Sequence, residues 1–319
     1  MKRFGFIFIL VLAFVAPFLS CADDTTHAQK TPASETTYDQ FVDVVKPYDS
    51  EEISSTSNWG LEAIRLDQAL KISKGTRKVI VAVIDTGIDP EHQSIKSSLW
   101  TSPENDSFGE FKDNVGHGTH VSGIIASIYN NVSIMALKYS DFADTLRAIR
   151  YAIDHGAEII NYSGGGKGYS AEEFALFKEA ESKGIILVAA AGNDGEDIGR
   201  DPYYPAAYGL SNIISVAASD HDGSLIRESN YGAGVDIAAP GLDIFSSMPG
   251  NKYGLLSGTS QAAAFVSGAV ALIKANSPEL KVEEIKSTII NSARHSEKLQ
   301  DKVKSNGLLD VASALLSIQ

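Results

Sequence analysis

The strongest constraint on this chain is the run Val79-Ile-Val-Ala-Val-Ile84, which places six apolar residues between Lys78 and Asp85. An unbroken, mostly β-branched run closed by the turn sequence Asp85-Thr-Gly87 describes a strand buried on both faces. Such a strand has to lie inside a sheet whose two faces are both covered. The cover is present in the same sequence. Helical patterns at 119–128, 144–155, 171–183, 260–276 and 282–292 alternate with strand patterns at 132–137, 158–161, 185–190, 213–217 and 236–239. Gly156 and Gly184 stand where two of these helices should stop, as glycine does just past a helix end. Repeated strand–helix units predict an α/β fold, a three-layer α/β/α domain with a central, mostly parallel sheet.

Composition divides the 319 residues into three parts. Residues 1–20 carry two basic residues and then an apolar run from Phe4 to Leu19, the layout of an export signal. Residues 21–56 are rich in Thr, Ser, Asp and Glu and read as a polar linker or tail. Residues 57–319 hold all the strand–helix units and read as one folded domain. Cys21 is the sole cysteine, so the chain can form no internal disulfide and no zinc site of the Cys₄ or Cys₂His₂ type. Phe18-Leu19-Ser20-Cys21 resembles a bacterial lipobox, which would make Cys21 a lipidated N-terminus; cleavage after Ala22 is the other outcome. The expected location is outside the cytoplasm, as a cell-envelope lipoprotein or otherwise secreted or periplasmic. Membrane contact would come only through the lipid, and the domain is expected to be a monomer. A formal charge of −13 argues against nucleic acid as a partner, because phosphate binding needs a basic face.

In an open parallel sheet, sites gather at the carboxyl ends of the strands. The first buried strand delivers Asp85 there. A loop before a helix delivers Gly116-His117-Gly118, the strand 185–190 delivers Gly192-Asn193, and the loop before the longest helix delivers Gly258-Thr259-Ser260. A serine hydroxyl is inert near neutral pH until a base takes its proton, and an imidazole suits that task. A carboxylate on the other ring nitrogen fixes the tautomer and stabilises the imidazolium. An amide N–H can hold a developing oxyanion. One carboxylate, one imidazole, one amide and one hydroxyl at one sheet edge therefore point to acyl transfer.

The strings around these residues sharpen that reading. Val83-Ile-Asp-Thr-Gly-Ile88, Gly116-His-Gly-Thr-His-Val-Ser-Gly123, Ala189-Ala-Ala-Gly-Asn-Asp194 and Ser257-Gly-Thr-Ser-Gln-Ala262 resemble the four motif blocks of the subtilisin-like serine proteases, in that family's order. The resemblance runs from about Trp59 to the C-terminus. It implies a subtilisin-like catalytic domain over 57–319 and a serine endopeptidase acting on protein or peptide substrates. It also implies that Asp85, His117 and Ser260 form the triad and that Asn193 is the oxyanion donor. Ser163, Gly164 and Gly165 would pair with a substrate strand. Gly165 and Gly192 would flank the pocket for the side chain before the cut bond, with Tyr203 near its floor.

Three departures from the family pattern stand out. Ala264 replaces a proline, Gln261 sits beside the serine where Met is common, and the stretch between His120 and Asn161 is short. The last shrinks one wall of the substrate groove to about 139–144 and leaves no room for the family's tight calcium loop. No cofactor is expected in the chemistry. No structural calcium site is assigned, and carbonyls near Ala206 and Tyr208 are the only candidates for a weaker one. The alternative function is a catalytically silent module of the same fold. An esterase of the α/β-hydrolase type is disfavoured, because Ser260 lies outside a Gly-x-Ser-x-Gly string and comes after Asp85 and His117.

Overall fold

A computed structural model describes residues 46–48, 59–103 and 108–319. The export signal, Cys21 and most of the linker lie outside the described residues. Strand β1 (Lys46–Tyr48) is followed by helices α1 (Trp59–Ala63) and α2 (Leu66–Ile72). The order then runs β2 (Val79–Asp85), α3 (His117–Ile128), β3 (Val132–Lys138), α4 (Phe142–Asp154), β4 (Ile159–Tyr162), α5 (Ala171–Ser182), β5 (Ile186–Ala190) and β6 (Ile213–Ser219). It closes with β7 (Ile237–Pro240), β8 (Ile244–Met248), β9 (Lys252–Leu256), α6 (Thr259–Asn276), α7 (Val282–Asn291), β10 (Arg294–His295), β11 (Gly307–Leu308) and α8 (Val311–Ser317).

The main sheet has the order β10-β11-β7-β6-β5-β4-β2-β3, parallel throughout except for the terminal β10–β11 pair. The three-layer α/β/α expectation therefore holds. Alternate residues of β2 explain the layering. Val79, Val81 and Val83 join an apolar cluster with α3, α6 and α8, whereas Ala82 and Ile84 join a second one with α4 and α5. Strand β2 pairs with β3 on one side and β4 on the other, so the direction of winding reverses there. That reversal opens a crevice at the carboxyl ends of β2 and β4, where a parallel sheet offers a site.

Helix α6 packs against the sheet and against α3, α7 and α8, with every residue buried except Asn276. Its small side chains are what permit this depth. A Cβ added at Gly268 would stand 2.7 Å from Ile128 Cδ1 of α3, so any larger residue would push the two helices apart. Ala264, in place of a proline, is wholly buried in the first half of the helix and joins the core cluster.

The strand and helix patterns reappear within one to two residues of their expected ends. Helix α4 begins at Phe142, ahead of the expected 144, because the Asp141 carboxylate accepts the Asp144 N–H at 2.8 Å and so caps an earlier turn. The loop leading into it is only Tyr139–Asp141, shorter than the expected groove wall. Helices α1, α2 and α8 and the β10–β11 pair lie outside the expected elements, and two further features run against the sequence reading. Lys46–Tyr48, inside the segment read as a linker, pairs antiparallel with β9. The hairpin β8–β9 has no counterpart among the expected strands; it turns through Gly250 (φ 78°) and Asn251 (φ 60°), which supply the positive dihedrals a tight hairpin needs. Among the described residues no helix is long and apolar enough to cross a membrane.

Candidate active site

Asp85 is the last residue of β2 and His117 the first of α3, and a glycine lets these two ends meet. A Cβ on Gly118 would fall 2.1 Å from the Gly87 carbonyl oxygen, so only glycine lets α3 start this close to the β2 turn. The result is a His117 Nδ1–H donating to Asp85 Oδ1 at 2.7 Å, with both side chains buried. The same oxygen accepts the Thr86 N–H at 2.7 Å. Because a carboxylate can only accept, Nδ1 carries the proton and the basic lone pair of the neutral ring is on Nε2.

Asp113, absent from the site residues expected from sequence, organises the start of α3. Its carboxylate is buried and accepts from Thr86 Oγ1 (2.9 Å), Val115 N (3.0 Å), Gly116 N (2.7 Å), Thr119 N (2.9 Å) and Thr119 Oγ1 (2.6 Å). Thr86 Oγ1 in turn accepts the Gly118 N–H at 3.0 Å. The N–H groups of Gly116, Gly118 and Thr119, which the start of a helix leaves unpaired, are thus met by Asp113 and Thr86. Burial alone would raise the Asp113 carboxyl, but the bonds from Thr119, Gly116 and Val115 together hold it below its ordinary range. Burial would likewise depress His117. The charge and hydrogen bond of Asp85, helped by the charge of Asp113, outweigh burial and raise the imidazole above its ordinary value of 6.5. His120, three residues on, is buried and donates to the Ile244 carbonyl from Nε2 at 2.9 Å. Burial, with the adjoining His117, pushes it down to about 3, so it stays neutral and structural.

Ser260 is the second residue of α6, so its backbone N–H belongs to the first-turn donors with no intrahelical partner. Its hydroxyl donates to the Ser163 carbonyl at 3.1 Å, tying it to the segment after β4. Asn193 follows β5 and approaches from the other side. Its Oδ1 accepts both the N–H (2.9 Å) and the hydroxyl (3.0 Å) of Thr259. The oxygen end is thus held by α6, and Nδ2 is the donor end of the amide. Thr259 Oγ1 also accepts the Gly192 N–H at 3.2 Å, so this wholly buried threonine, absent from the sequence-level site, fixes 192–193 against α6.

Ser163 is buried and its hydroxyl accepts from Asn161 Nδ2 at 2.9 Å; Asn161 Oδ1 accepts from Ser267 of α6 at 2.7 Å. This network holds Ser163-Gly164-Gly165 beside Ser260. A cavity of about 290 Å³ opens between His117, Asn193, Ser260 and Gln261. All four expected chemical groups therefore share one edge of the sheet. Among the described residues no group of three or more His, Cys, Asp or Glu side chains is gathered to hold a metal ion, and Ala206–Tyr208 forms a 3₁₀ turn.

The model of the subtilase family, Peptidase_S8, matches residues 76–310. The chain is 35% identical over 261 residues to the thermostable alkaline protease of Halalkalibacterium halodurans, covering 76% of this chain and 70% of that protein. It is also 35% identical over 273 residues to thermitase of Thermoactinomyces vulgaris, covering 79% of this chain and 91% of thermitase. Among solved structures, one from the work on assembly of the subtilase cytotoxin SubAB superposes with a TM-score of 0.70 at 28% identity, covering 82% of this chain and 96% of that one. The chain belongs to the subtilase family. It is a serine endopeptidase, and its substrates are proteins or peptides.

Proposed function

We propose that peptide hydrolysis here runs through Asp85, His117 and Ser260 as the triad and Asn193 as oxyanion donor. The observation that carries this reading is the 2.7 Å bond between the buried His117 and Asp85, with Ser260 lining the same cavity as His117. Ser260 Oγ attacks the scissile carbonyl carbon while its proton, turned away from the Ser163 carbonyl, passes to His117 Nε2. The oxygen that gains charge is held by Asn193 Nδ2 and the Ser260 N–H. The imidazolium, stabilised by Asp85, then protonates the leaving amine and the C–N bond breaks. Water, deprotonated by His117, then attacks the acyl carbon; the bond to Ser260 Oγ breaks, His117 returns the proton to Oγ, and the acid leaves. These steps use side chains, one backbone N–H and water, with no cofactor.

Asn193→Ala tests the oxyanion assignment. It is expected to lower kcat roughly 10²–10³-fold with little change in KM, the loss that removal of the corresponding asparagine causes in subtilisin. A kcat within a few-fold of wild type would remove Asn193 from the chemistry. The pH profile tests His117. As base it must be neutral, and its raised pKa places the acid limb of kcat/KM above 6.5. Asp113→Asn removes one of the charges that raise it, so the limb should move to lower pH. A limb that stays in place would make Asp113 a merely structural residue.

We also propose export, with Cys21 as the lipid attachment point, on the apolar run of residues 4–19 that ends beside it. Labelled palmitate should enter the full chain in a bacterial host and be lost in Cys21→Ala. A wild-type protein left unlabelled would refute the tether.

A further inference from the structure

We propose that Tyr203 occupies the recess beside Ser260 into which the side chain preceding the cut bond must go, so that this peptidase cleaves after small residues such as glycine, alanine or serine. The inference rests on the function proposed above, because it takes the attacked carbonyl to sit at Ser260 Oγ with its oxygen toward Asn193. A peptide placed that way has its preceding side chain between two backbone segments, 163–165 and 192–193. Both segments are anchored next to the nucleophile. The Ser163 carbonyl accepts the Ser260 hydroxyl, and Thr259 binds both Gly192 and Asn193.

What lies between them is the ring of Tyr203. A Cβ built on Gly165 would stand 2.6 Å from Tyr203 Cε1 and 3.0 Å from Cζ. A Cβ built on Gly192 would stand 3.0 Å from both Cδ2 and Cε2. Those atoms belong to opposite edges of one ring, so the phenol spans the gap from one segment to the other. With the Tyr204 carbonyl oxygen 2.3 Å from the Gly165 Cβ position and Asn230 Nδ2 2.4 Å from that of Gly192, neither segment has room for even a methyl group, and the ring takes the space a large substrate side chain would need.

The ring is also held there. Tyr204, the next residue, exchanges two backbone hydrogen bonds with Gly166 (2.8 and 2.9 Å), and the Tyr203 carbonyl accepts the Ala207 N–H at 2.9 Å. The side chain packs against the apolar cluster on the α4–α5 face of the sheet. Burial, reinforced by the carboxylates of Asp194 and Glu173, keeps its hydroxyl protonated well past neutral pH, so the plug is uncharged. The open space at Ser260 lies elsewhere, in the cavity lined by Asn193, Leu242, Leu256 and Gln261. The recess facing Tyr203 is the closed one.

The test is a peptide library varied at the residue before the cut bond. Wild type is expected to show kcat/KM for alanine at least about tenfold above leucine or phenylalanine, the discrimination a filled apolar pocket gives. Tyr203→Gly should raise kcat/KM for phenylalanine and leucine by about tenfold or more and reverse the order. Inactivation of wild type by peptidyl chloromethyl ketones ending in alanine, faster than by those ending in phenylalanine, checks the same point with no variant to fold. A wild-type preference for large residues, or an unchanged profile in Tyr203→Gly, would overturn the inference while the peptidase reading stands. A wild-type chain that neither cleaves the library nor reacts at Ser260 with a fluorophosphonate would overturn both.

Discussion

Ser260→Ala is expected to lower kcat for peptide hydrolysis roughly 10⁶-fold and to abolish reaction with fluorophosphonates, while the fold survives. Loss of the nucleophile has an effect of this size in subtilisin. The physical basis is the placement of the hydroxyl. Ser260 shares its cavity with His117 and Asn193, whereas the other serine lining it, Ser257, already accepts the Asp243 N–H at 2.8 Å. Without Ser260 no acyl-enzyme can form, and water has to attack a substrate that is merely bound and polarised. The Asn193 amide and the first-turn N–H groups of α6 remain, so hydrolysis should still exceed the uncatalysed rate by roughly 10³–10⁴. The structural cost is small. Alanine is the better helix former, and the lost bond to the Ser163 carbonyl is a single neutral one, worth about 1 kcal/mol. The variant should therefore unfold near the wild-type temperature and bind substrate peptides with near-native affinity. A kcat within tenfold of wild type in a protein free of contaminating peptidase would end the assignment of Ser260 as nucleophile.

The parts of the site legible in the sequence are those whose position follows from an element end. Asp85 closes a six-residue apolar run, Asn193 follows another, and His117 and Ser260 each stand at a helix start with a glycine just ahead. Runs and helix starts leave local marks, so these four can be placed from sequence alone. Asp113, Thr259 and the closing of the recess by Tyr203 leave fainter marks or none, for a common reason. Their roles consist of bonds and contacts between residues far apart in the chain: Thr86 to Asp113, Thr259 to Gly192, Tyr203 to Gly165 and Gly192 together. An acidic residue shortly before a helix is the one available clue to Asp113, as acidic and capping residues gather at helix starts. The β8–β9 hairpin carries a signal too. Pro249-Gly250-Asn251 is a turn string between two short segments. Those strands read poorly because their apolar residues are interrupted by Ser246, Ser247 and Gly254, which break any continuous core run. Ser246 packs against α3 instead, where its Oγ donates to the His120 carbonyl at 2.8 Å.

Asp85→Asn should lower kcat roughly 10⁴-fold, the magnitude found for triad aspartates in related and unrelated serine proteases. The structure predicts how the loss should appear. Asp85 Oδ1 accepts two donors, His117 Nδ1–H and the Thr86 N–H, both at 2.7 Å. An asparagine there must keep its oxygen toward those donors, since the flipped amide would set N–H against N–H. The tautomer of His117 is then preserved, and what disappears is the negative charge. In the wild type that charge, with its hydrogen bond, is what overcomes the desolvation of a buried imidazole. Without it the burial of the ring is less opposed, and the His117 pKa should fall. The sign follows from which form is stabilised: the carboxylate favours imidazolium, so its removal favours the neutral ring. The acid limb of the variant's pH profile should therefore move down although its plateau is lower by orders of magnitude. An imidazolium that forms less readily in the free enzyme also forms less readily in the transition state. An amide flip would give the other pattern, with activity recovering at high pH as the wrong tautomer is deprotonated. Kinetics of Asp85→Asn from mildly acidic to strongly alkaline pH, together with imidazole NMR of His117, separate the two. A kcat reduced less than tenfold, or an acid limb that does not move down, would mean that Asp85 does not act on the reaction through its charge.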